Sequence, residues 1–170
     1  MFKKMMIAAA TLAMVALPAV ASAAPAPVGA QAVAGPYVLQ VGTPPGRVLE
    51  VLRSQVSTNG GLVRQFDRDG SDEQKWLFFD DRTIRPLLDT TMCLDANPNE
   101  NWDGGKVWVW KCNGTAFQKW AETPGLANTL QNEHSLRCLD ANPNENWNGG
   151  KIWQWRCWGG DPQSWKRIPV

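Results

Sequence analysis

The sequence is poor in the residues that usually build metal centres and hydrolytic active sites. It has a single histidine, His134, and four cysteines, none of them spaced as Cys-x-x-Cys. Zinc sites and activated nucleophiles need several such side chains brought together. The composition therefore predicts no metal and no cofactor, and it predicts that His134 is a turn residue.

Long apolar runs are confined to the beginning of the sequence. Lys3 and Lys4 precede an apolar stretch from Met5 to Val20 and the small residues 21–23, which is the order of a secretory signal peptide. The run is too short for a comfortable membrane span, and no later segment is long and apolar enough to cross a bilayer. We expect residues 1–23 to be a signal peptide and the protein to be secreted or extracytoplasmic, without a membrane span.

An excess of charge of either sign is also missing. Without Lys3 and Lys4 the 17 basic residues fall to 15, against 16 acidic residues. Nucleic-acid binding needs a basic surface that neutralises phosphates, so this balance predicts no nucleic-acid partner. Residues 24–36, which are small and Pro-rich, are predicted to be a flexible leader, and residues 37–170 a single folded domain.

What the sequence does contain is a repeat. The segment Cys93–Trp102 recurs letter for letter 45 residues later as Cys138–Trp147, and the match continues through Trp-x-Trp-x-Cys to Gln-x-Trp. A fainter first copy has residues 48–50 (Val-Leu-Glu) in place of Cys-Leu-Asp and closes at residues 74–76 (Gln-Lys-Trp). Three units of this length account for the whole domain.

Each unit is predicted to contain four short strands separated by turn-forming residues. In the second unit we predict strands at Thr83–Leu88, Met92–Ala96, Lys106–Cys112 and Gln118–Glu122. Lys106–Cys112 alternates two valines with two tryptophans, a period of two that is typical of a strand with one buried face. No segment after residue 23 has a sustained helical period. We therefore predict an all-β fold of three four-stranded units of ~45 residues that close into a barrel with pseudo-threefold symmetry.

The cysteines fall in the two strong units with the same spacing. Cys93 and Cys112 are 19 residues apart, as are Cys138 and Cys157. Four cysteines allow three pairings, and the repeat symmetry favours Cys93–Cys112 and Cys138–Cys157, because the other pairings would join separate units. The first unit has no cysteine and is expected to hold by packing alone.

Together, Cys-Leu-Asp, Trp-x-Trp-x-Cys and the threefold Gln-x-Trp resemble the ricin B-type (R-type) lectin family. The resemblance covers nearly all of residues 37–170 and implies a β-trefoil in which the tryptophan of each Gln-x-Trp packs in the core. It also implies a lectin that binds a glycan or polysaccharide, with an Asp that accepts hydrogen bonds from sugar hydroxyls and an aromatic ring that stacks on the sugar. The carbohydrate-binding residues so predicted are Asp95, Trp108, Trp110, Gln118, Asp140, Trp153, Trp155 and Gln163.

Within these sites, Gln118 and Gln163 are expected to orient the Asp and the adjoining turn. Trp108 and Trp153 stand where many family members have Gln or Asn, which makes the surface unusually aromatic and favours stacking on a polymer chain.

The first unit is expected to lack a site. It has Glu50, Arg64 and Phe66 at the corresponding places, so it offers no indole on which a sugar could stack. Two sites are therefore expected, in the second and third units.

The same residues are compatible with two other functions. Asp95 with Glu100, and Asp140 with Glu145, resemble in type the paired carboxylates of a glycosidase. An enzyme normally has one such pair, whereas this pair is duplicated in turn segments, so we predict no enzyme. The main rival is a protein-binding trefoil or toxin-subunit adhesin whose Trp-rich face meets a protein partner. The repeated Asp and Trp pair favours sugar binding, because two sugar sites gain avidity.

Overall fold

The computed structural model describes residues 33–170, so the predicted signal peptide (1–23) and most of the predicted leader (24–36) lie outside the described residues. The described residues belong to one compact unit and form twelve strands and five short 3-10 helices, with no α-helix among them. The all-β prediction is confirmed. The strands are β1 (Val33–Val41), β2 (Val48–Val51), β3 (Gly61–Phe66), β4 (Lys75–Phe79), β5 (Ile84–Pro86), β6 (Met92–Ala96), β7 (Gly105–Lys111), β8 (Trp120–Glu122), β9 (Leu130–Asn132), β10 (Arg137–Ala141), β11 (Ile152–Arg156) and β12 (Trp165–Pro169).

The first strand begins inside the predicted leader. Val33 and Ala34 pair with Phe79 and Phe78 of β4, so residues 33–36, which the sequence analysis assigned to the leader, belong to strand β1. The sequence did not indicate this part of the strand, because the segment is Pro-rich and its pairing partner, β4, lies far along the chain.

Six strands, the first and last of each unit, form a ring. β1 pairs with β12 and β4, β4 pairs with β5, and β8 pairs with β9. A bridge between Thr83 and Lys119 joins the second unit's own first and last strands. The amide of Trp165 donates to the carbonyl of Asn128 at 2.8 Å and joins β12 to the segment before β9. This ring is the predicted barrel.

The other six strands form three hairpins, β2–β3, β6–β7 and β10–β11, whose buried side chains join the barrel core. Around the pseudo-threefold axis β3 pairs with β7, β7 pairs with β11, and a bridge between Arg64 and Lys151 links β11 back to β3. The same positions face each other in every hairpin. They are Glu50 and Arg64 in the first, Asp95 and Trp108 in the second, and Asp140 and Trp153 in the third.

The tryptophans of the three Gln-x-Trp motifs lie in the core, as predicted. Trp76, Trp120 and Trp165 are all buried. Each indole N–H donates to a leucine carbonyl in its own unit at 2.9 to 3.0 Å. Because a buried indole N–H without an acceptor is costly, this repeated bond fixes each tryptophan in the same place in its unit.

The outer hairpin strands alternate as the sequence indicates. In β7, Val107 and Val109 are buried, whereas Trp108 and Trp110 are half-exposed on the opposite face. The predicted disulfides, Cys93–Cys112 and Cys138–Cys157, are both formed. Among residues 33–170, no helix is long and apolar enough to span a membrane.

Candidate functional site

The third unit brings together a carboxylate and three indoles at one cavity. Asp140 on β10 faces Trp153 on β11, and the Trp153 Nε1–H donates to Asp140 Oδ1 at 2.7 Å. Trp155 lies two residues along the same face, with the two ring centroids 4.9 Å apart and the planes tilted by 35°. The cavity measures about 240 Å³. It is lined by Asp140, Pro143, Asn144, Trp153, Trp155 and Trp158.

The second unit repeats this arrangement with a different rim. Trp108 Nε1–H donates to Asp95 Oδ1 at 3.0 Å, and the Trp108 and Trp110 centroids are 5.3 Å apart, again tilted by 35°. The cavity is larger, at about 330 Å³. Its lining residues are Asp95, Pro98, Asn99, Trp108, Trp110, Asn113, Thr115 and Phe117.

The two glutamines predicted for these sites are fully buried and do not line the cavities. Gln163 lies behind the carboxylate, where its Nε2–H donates to Asp140 Oδ2 and to the Arg156 carbonyl, both at 2.9 Å. Gln118 Nε2–H donates to the Lys111 carbonyl at 3.1 Å, and its Oε1 accepts from the amide of Asn113 at 2.8 Å. Both side chains fix the turn that follows the outer strand.

Burial sets the charge behaviour of the two carboxylates. Desolvation raises the pKa of Asp95, against the hydrogen bonds from Gln118 and Trp108. Desolvation likewise raises the pKa of Asp140, although Trp153, Gln163 and Trp158 donate to it. An ionised carboxylate has about four lone-pair sites, so the two donors to Asp95 and the three to Asp140 leave acceptor capacity for a ligand in the cavity.

Each indole pair rests on a turn glycine of the preceding unit. A Cβ added to Gly104 would lie 3.6 Å from Cε3 of Trp153, and one added to Gly60 would lie 3.6 Å from Cε3 of Trp108. Both glycines have positive φ, +91° and +82°, a backbone conformation that residues other than glycine rarely adopt. The turns therefore approach the rings closely and hold each ring between its carboxylate and the neighbouring unit.

The first unit has the same strand register, but other residues occupy the positions of the carboxylate and the indoles. Arg64 donates to Glu50 Oε1 through Nε and Nη2, at 2.8 and 2.6 Å, and its guanidinium lies over the Phe66 ring, 4.7 Å from the centroid. The cavity here is about 190 Å³ and mostly charged. It is lined by Glu50, Leu52, Arg53, Arg64, Phe66, Asp69, Ser71 and Glu73.

Trp158 is a site residue that the sequence analysis missed. It follows Cys157, is 56% exposed and lines the third unit's cavity. Its ring lies over Gly160, where an added Cβ would be 2.0 Å from Cη2, so any side chain there would displace it. The second unit has Thr115 at the position of Gly160 and Asn113 at that of Trp158. The sequence Cys-Trp-Gly-Gly could have indicated this residue, because a glycine two positions after Trp158 leaves space for the indole ring.

The remaining candidates lie elsewhere or in turns. Trp102 and Trp147 are about half-exposed in the loops before β7 and β11, outside the cavity linings. His134 is in a turn, as predicted, with its ring 4.1 Å from that of Phe117. The part of the chain that the structure describes contains no group of three or more His, Cys, Asp or Glu side chains that could hold a metal ion.

Three four-stranded units around one axis, with a carboxylate facing an indole pair in two of them, define a lectin-like β-trefoil. Residues 39–165 match the model of the ricin-type beta-trefoil lectin domain, and the chain belongs to that family. The resemblance found in the sequence is thereby confirmed. No curated protein matches the chain in sequence.

Solved structures support the same fold. The designed threefold-symmetric protein ThreeFoil superposes with a TM-score of 0.67 at 23% identity, over 79% of this chain and 99% of its own. The β-trefoil lectin of the Vibrio vulnificus hemolysin/cytolysin, solved with N-acetyl-D-lactosamine bound, gives 0.63 at 18% identity over 82% and 95%. An exo-β-1,3-galactanase from Clostridium thermocellum gives 0.64 at 25% identity, over 79% of this chain and 30% of the enzyme. The fold thus matches a designed trefoil, a β-trefoil lectin and one part of a larger enzyme.

Proposed function

We propose that this protein is a secreted lectin with two glycan sites, one at Asp95, Trp108 and Trp110 and one at Asp140, Trp153 and Trp155. The observation that carries the proposal is the duplication itself. Two units separated by 45 residues present the same carboxylate, with the same indole donor and a second indole at nearly the same tilt. Family membership supports carbohydrate binding in general.

The chemistry of each cavity suits a sugar ring. One face of a pyranose is made of C–H groups and packs on an indole, as apolar surfaces do. Its hydroxyls donate to the carboxylate, and a charge-assisted bond of this kind is stronger than a neutral one. In our proposal Trp110 and Trp155 form the stacking surfaces, while Trp108 and Trp153 hold the carboxylates in place.

The lectin function is a binding function and includes no catalytic step. The ricin-type lectin domain is generally non-enzymatic, and the galactanase match covers a minor part of that enzyme. Export is supported by the two disulfides, which persist in oxidising compartments, and by the signal-peptide pattern of residues 1–23.

The test is a glycan array covering galactosides, xylan, chitin and glucans, probed with the full chain purified after export and with its Asp95→Ala/Asp140→Ala variant. The control is Asp72→Ala, which removes an exposed carboxylate in the first unit. We expect binding by the wild type and the control, and loss of binding in the double variant with both disulfides still formed. Silence of the wild type across all four classes would overturn the proposal.

A protein partner is the second candidate. Trp102 and Trp147 are 55% and 54% exposed outside the sugar cavities, and exposed tryptophans are enriched at protein interfaces. In a protein-binding trefoil or adhesin, Trp102→Ala/Trp147→Ala would abolish partner capture, while Asp95→Ala/Asp140→Ala would leave it intact. The opposite pattern favours the lectin.

A further inference from the structure

The outer face of the three hairpins carries a closed ring of side chains around the pseudo-threefold axis. In β3, in β7 and at the start of β11, where Lys151 immediately precedes the strand, two outward residues lie two positions apart and so share a face. One of these residues on each strand also pairs directly with one on the adjacent strand. The members of this axial ring, in order, are Leu62, Arg64, Lys151, Trp153, Lys106 and Trp108, which pairs again with Leu62.

The axial ring encloses a depression of about 170 Å³. Its lining includes Val63, Val107 and Ile152, which also belong to the hydrophobic core, and no carboxylate-bearing residue is among the residues that line it. The rim carries Lys106 and Lys151, whose side chains are 68% exposed and form ion pairs with Glu100 at 3.4 Å and with Glu145 at 3.1 Å. An apolar floor with cationic donors at its edge suits a sugar unit, which has an apolar face and a rim of oxygens.

Two tryptophans connect this depression to the cavities already described. Trp108 lines both the second unit's cavity and the axial depression, and Trp153 lines both the third unit's cavity and the axial depression. Since Trp153 pairs with Lys106, Trp153 and Trp108 are diagonal neighbours across adjacent strands, a separation of roughly 7–8 Å. The three cavities therefore adjoin one another at these two indoles, and together they are called the tract.

The tract ends at the first unit. In the axial ring Arg64 of the first unit stands at the position of Trp108 and Trp153. It donates hydrogen bonds to Glu50 and lies over the Phe66 ring. Gly149, which corresponds to Gly60 and Gly104, would meet nothing within 4 Å of an added Cβ, whereas those two glycines contact indoles. Aromatic surface thus runs from the second unit to the third and does not return through the first.

We infer that the axial depression is a further glycan subsite and that a single linear glycan chain binds across it, from the second unit's cavity to the third unit's cavity. The inference rests on the proposed lectin function and specifies its ligand as an oligosaccharide long enough to cover all three cavities. The Trp108 and Trp153 rings bound the crossing, and Lys106 lies between them.

Isothermal titration with oligosaccharides of two and six units tests this directly, using the xylo-, cello-, chito- and β-1,3-galacto- series as probes. We expect the two-unit sugar of the recognised series to bind at two sites per protein. The six-unit sugar should bind once per protein and at least about tenfold more tightly, because its second contact is intramolecular. Two sites and equal affinity for both lengths would overturn the inference and leave the lectin proposal standing. Absence of binding at both lengths in all four series would overturn both.

Two variants separate a crossing chain from independent sites. Leu62→Glu places a charged side chain over the depression, and Leu62 is 43% exposed, so the fold tolerates the change; Leu136→Glu, at 65% exposed, is the matched control. We expect Leu62→Glu, but not Leu136→Glu, to reduce six-unit affinity to that of the two-unit sugar. Asp95→Ala alone should also reduce the affinity for the six-unit sugar to that of the two-unit sugar. If the two sites were independent, the site in the third unit would keep its wild-type affinity for the six-unit sugar.

Discussion

The first and third units place an acid on the same scaffold and surround it differently. In both, the acid lies opposite the same hairpin position, and a buried glutamine donates to it: Gln74 to Glu50 at 3.0 Å, and Gln163 to Asp140 at 2.9 Å. The acid and glutamine are therefore part of the trefoil framework whether or not an indole stacking surface is present.

The residue facing the acid makes the difference. Arg64 neutralises Glu50 and takes up its Oε1 with two hydrogen bonds, whereas Trp153 gives Asp140 one neutral donor and leaves its charge without a counter-ion. A buried carboxylate without a counter-ion is costly to the fold. The second and third units each keep such a carboxylate, which retains acceptor capacity at the cavity.

The largest expected effect concerns the disulfides, which the first unit lacks. Cys138→Ser/Cys157→Ser should lower the free energy of unfolding by about 3 kcal/mol, because a loop of this length is then no longer closed in the unfolded chain. In the first unit, Val48→Cys/Arg68→Cys should add up to about the same amount. Urea denaturation measures both. An unchanged midpoint for the Ser variant would show that packing alone holds the third unit, as in the first.

The second prediction exchanges the surroundings of the acid. Asp140→Glu/Trp153→Arg/Trp155→Phe gives the third unit the residues of the first, and the number of two-unit sugars bound should fall from two to one. The reverse exchange, Glu50→Asp/Arg64→Trp/Phe66→Trp, should raise it to three. Titration calorimetry counts the sites. If the reverse exchange folds and still binds two sugars, rim residues such as Trp158 are required as well as the indole pair.

Much of this architecture could be predicted from the sequence because its signals are local. The alternation in β7 lies within one strand, and the 45-residue offset and the equal cysteine spacings follow from comparing one unit with the next along the sequence. What could not be predicted depends on contacts between distant segments. The start of β1 at Val33 needs Phe79, and the axial ring needs the register between hairpins.

The role of Trp108 and Trp153 shows a subtler limit. By the family resemblance, indoles stand at these positions where many members have Gln or Asn, and the sequence analysis therefore expects an unusually aromatic surface. The structure instead uses each indole N–H to hold a carboxylate. The sequence shows that a tryptophan has an N–H donor, but the acceptor of that N–H depends on the residue that the partner strand places opposite it.

The third prediction concerns pH. Because burial raises the pKa of Asp95 and Asp140, the folded protein holds these protons more tightly than the unfolded chain, and stability falls as pH rises above about 4. The Asp95→Ala/Asp140→Ala variant should therefore gain stability relative to the wild type over that range. Glycan binding by the wild type should weaken as pH falls, because the carboxylates become protonated.

The control for this titration is Asp89→Ala. Hydrogen bonds from Ser57 and Thr91 lower the pKa of Asp89, so its carboxylate stabilises the fold above about pH 4 and that contribution is lost on acidification. The control should thus lose stability relative to the wild type as pH rises up to about 4 and change no further above it, whereas the Asp95→Ala/Asp140→Ala variant gains stability above about 4. Urea denaturation at a series of pH values measures both, and parallel trends would contradict the assignment.

The smallest expected effect separates the third unit from the second. Trp158→Asn gives the third cavity the residue of the second, and an exposed stacking ring contributes about 0.5–1.5 kcal/mol, so the third site should weaken by about two- to tenfold. Trp102→Asn, equally exposed but outside the cavities, should leave affinity unchanged. In the second unit, Asn113→Trp should strengthen binding only together with Thr115→Gly, because the ring needs the space that Gly160 provides in the third. Equal gains with and without Thr115→Gly would show that the ring has another position, and that glycine does not set the difference between the two sites.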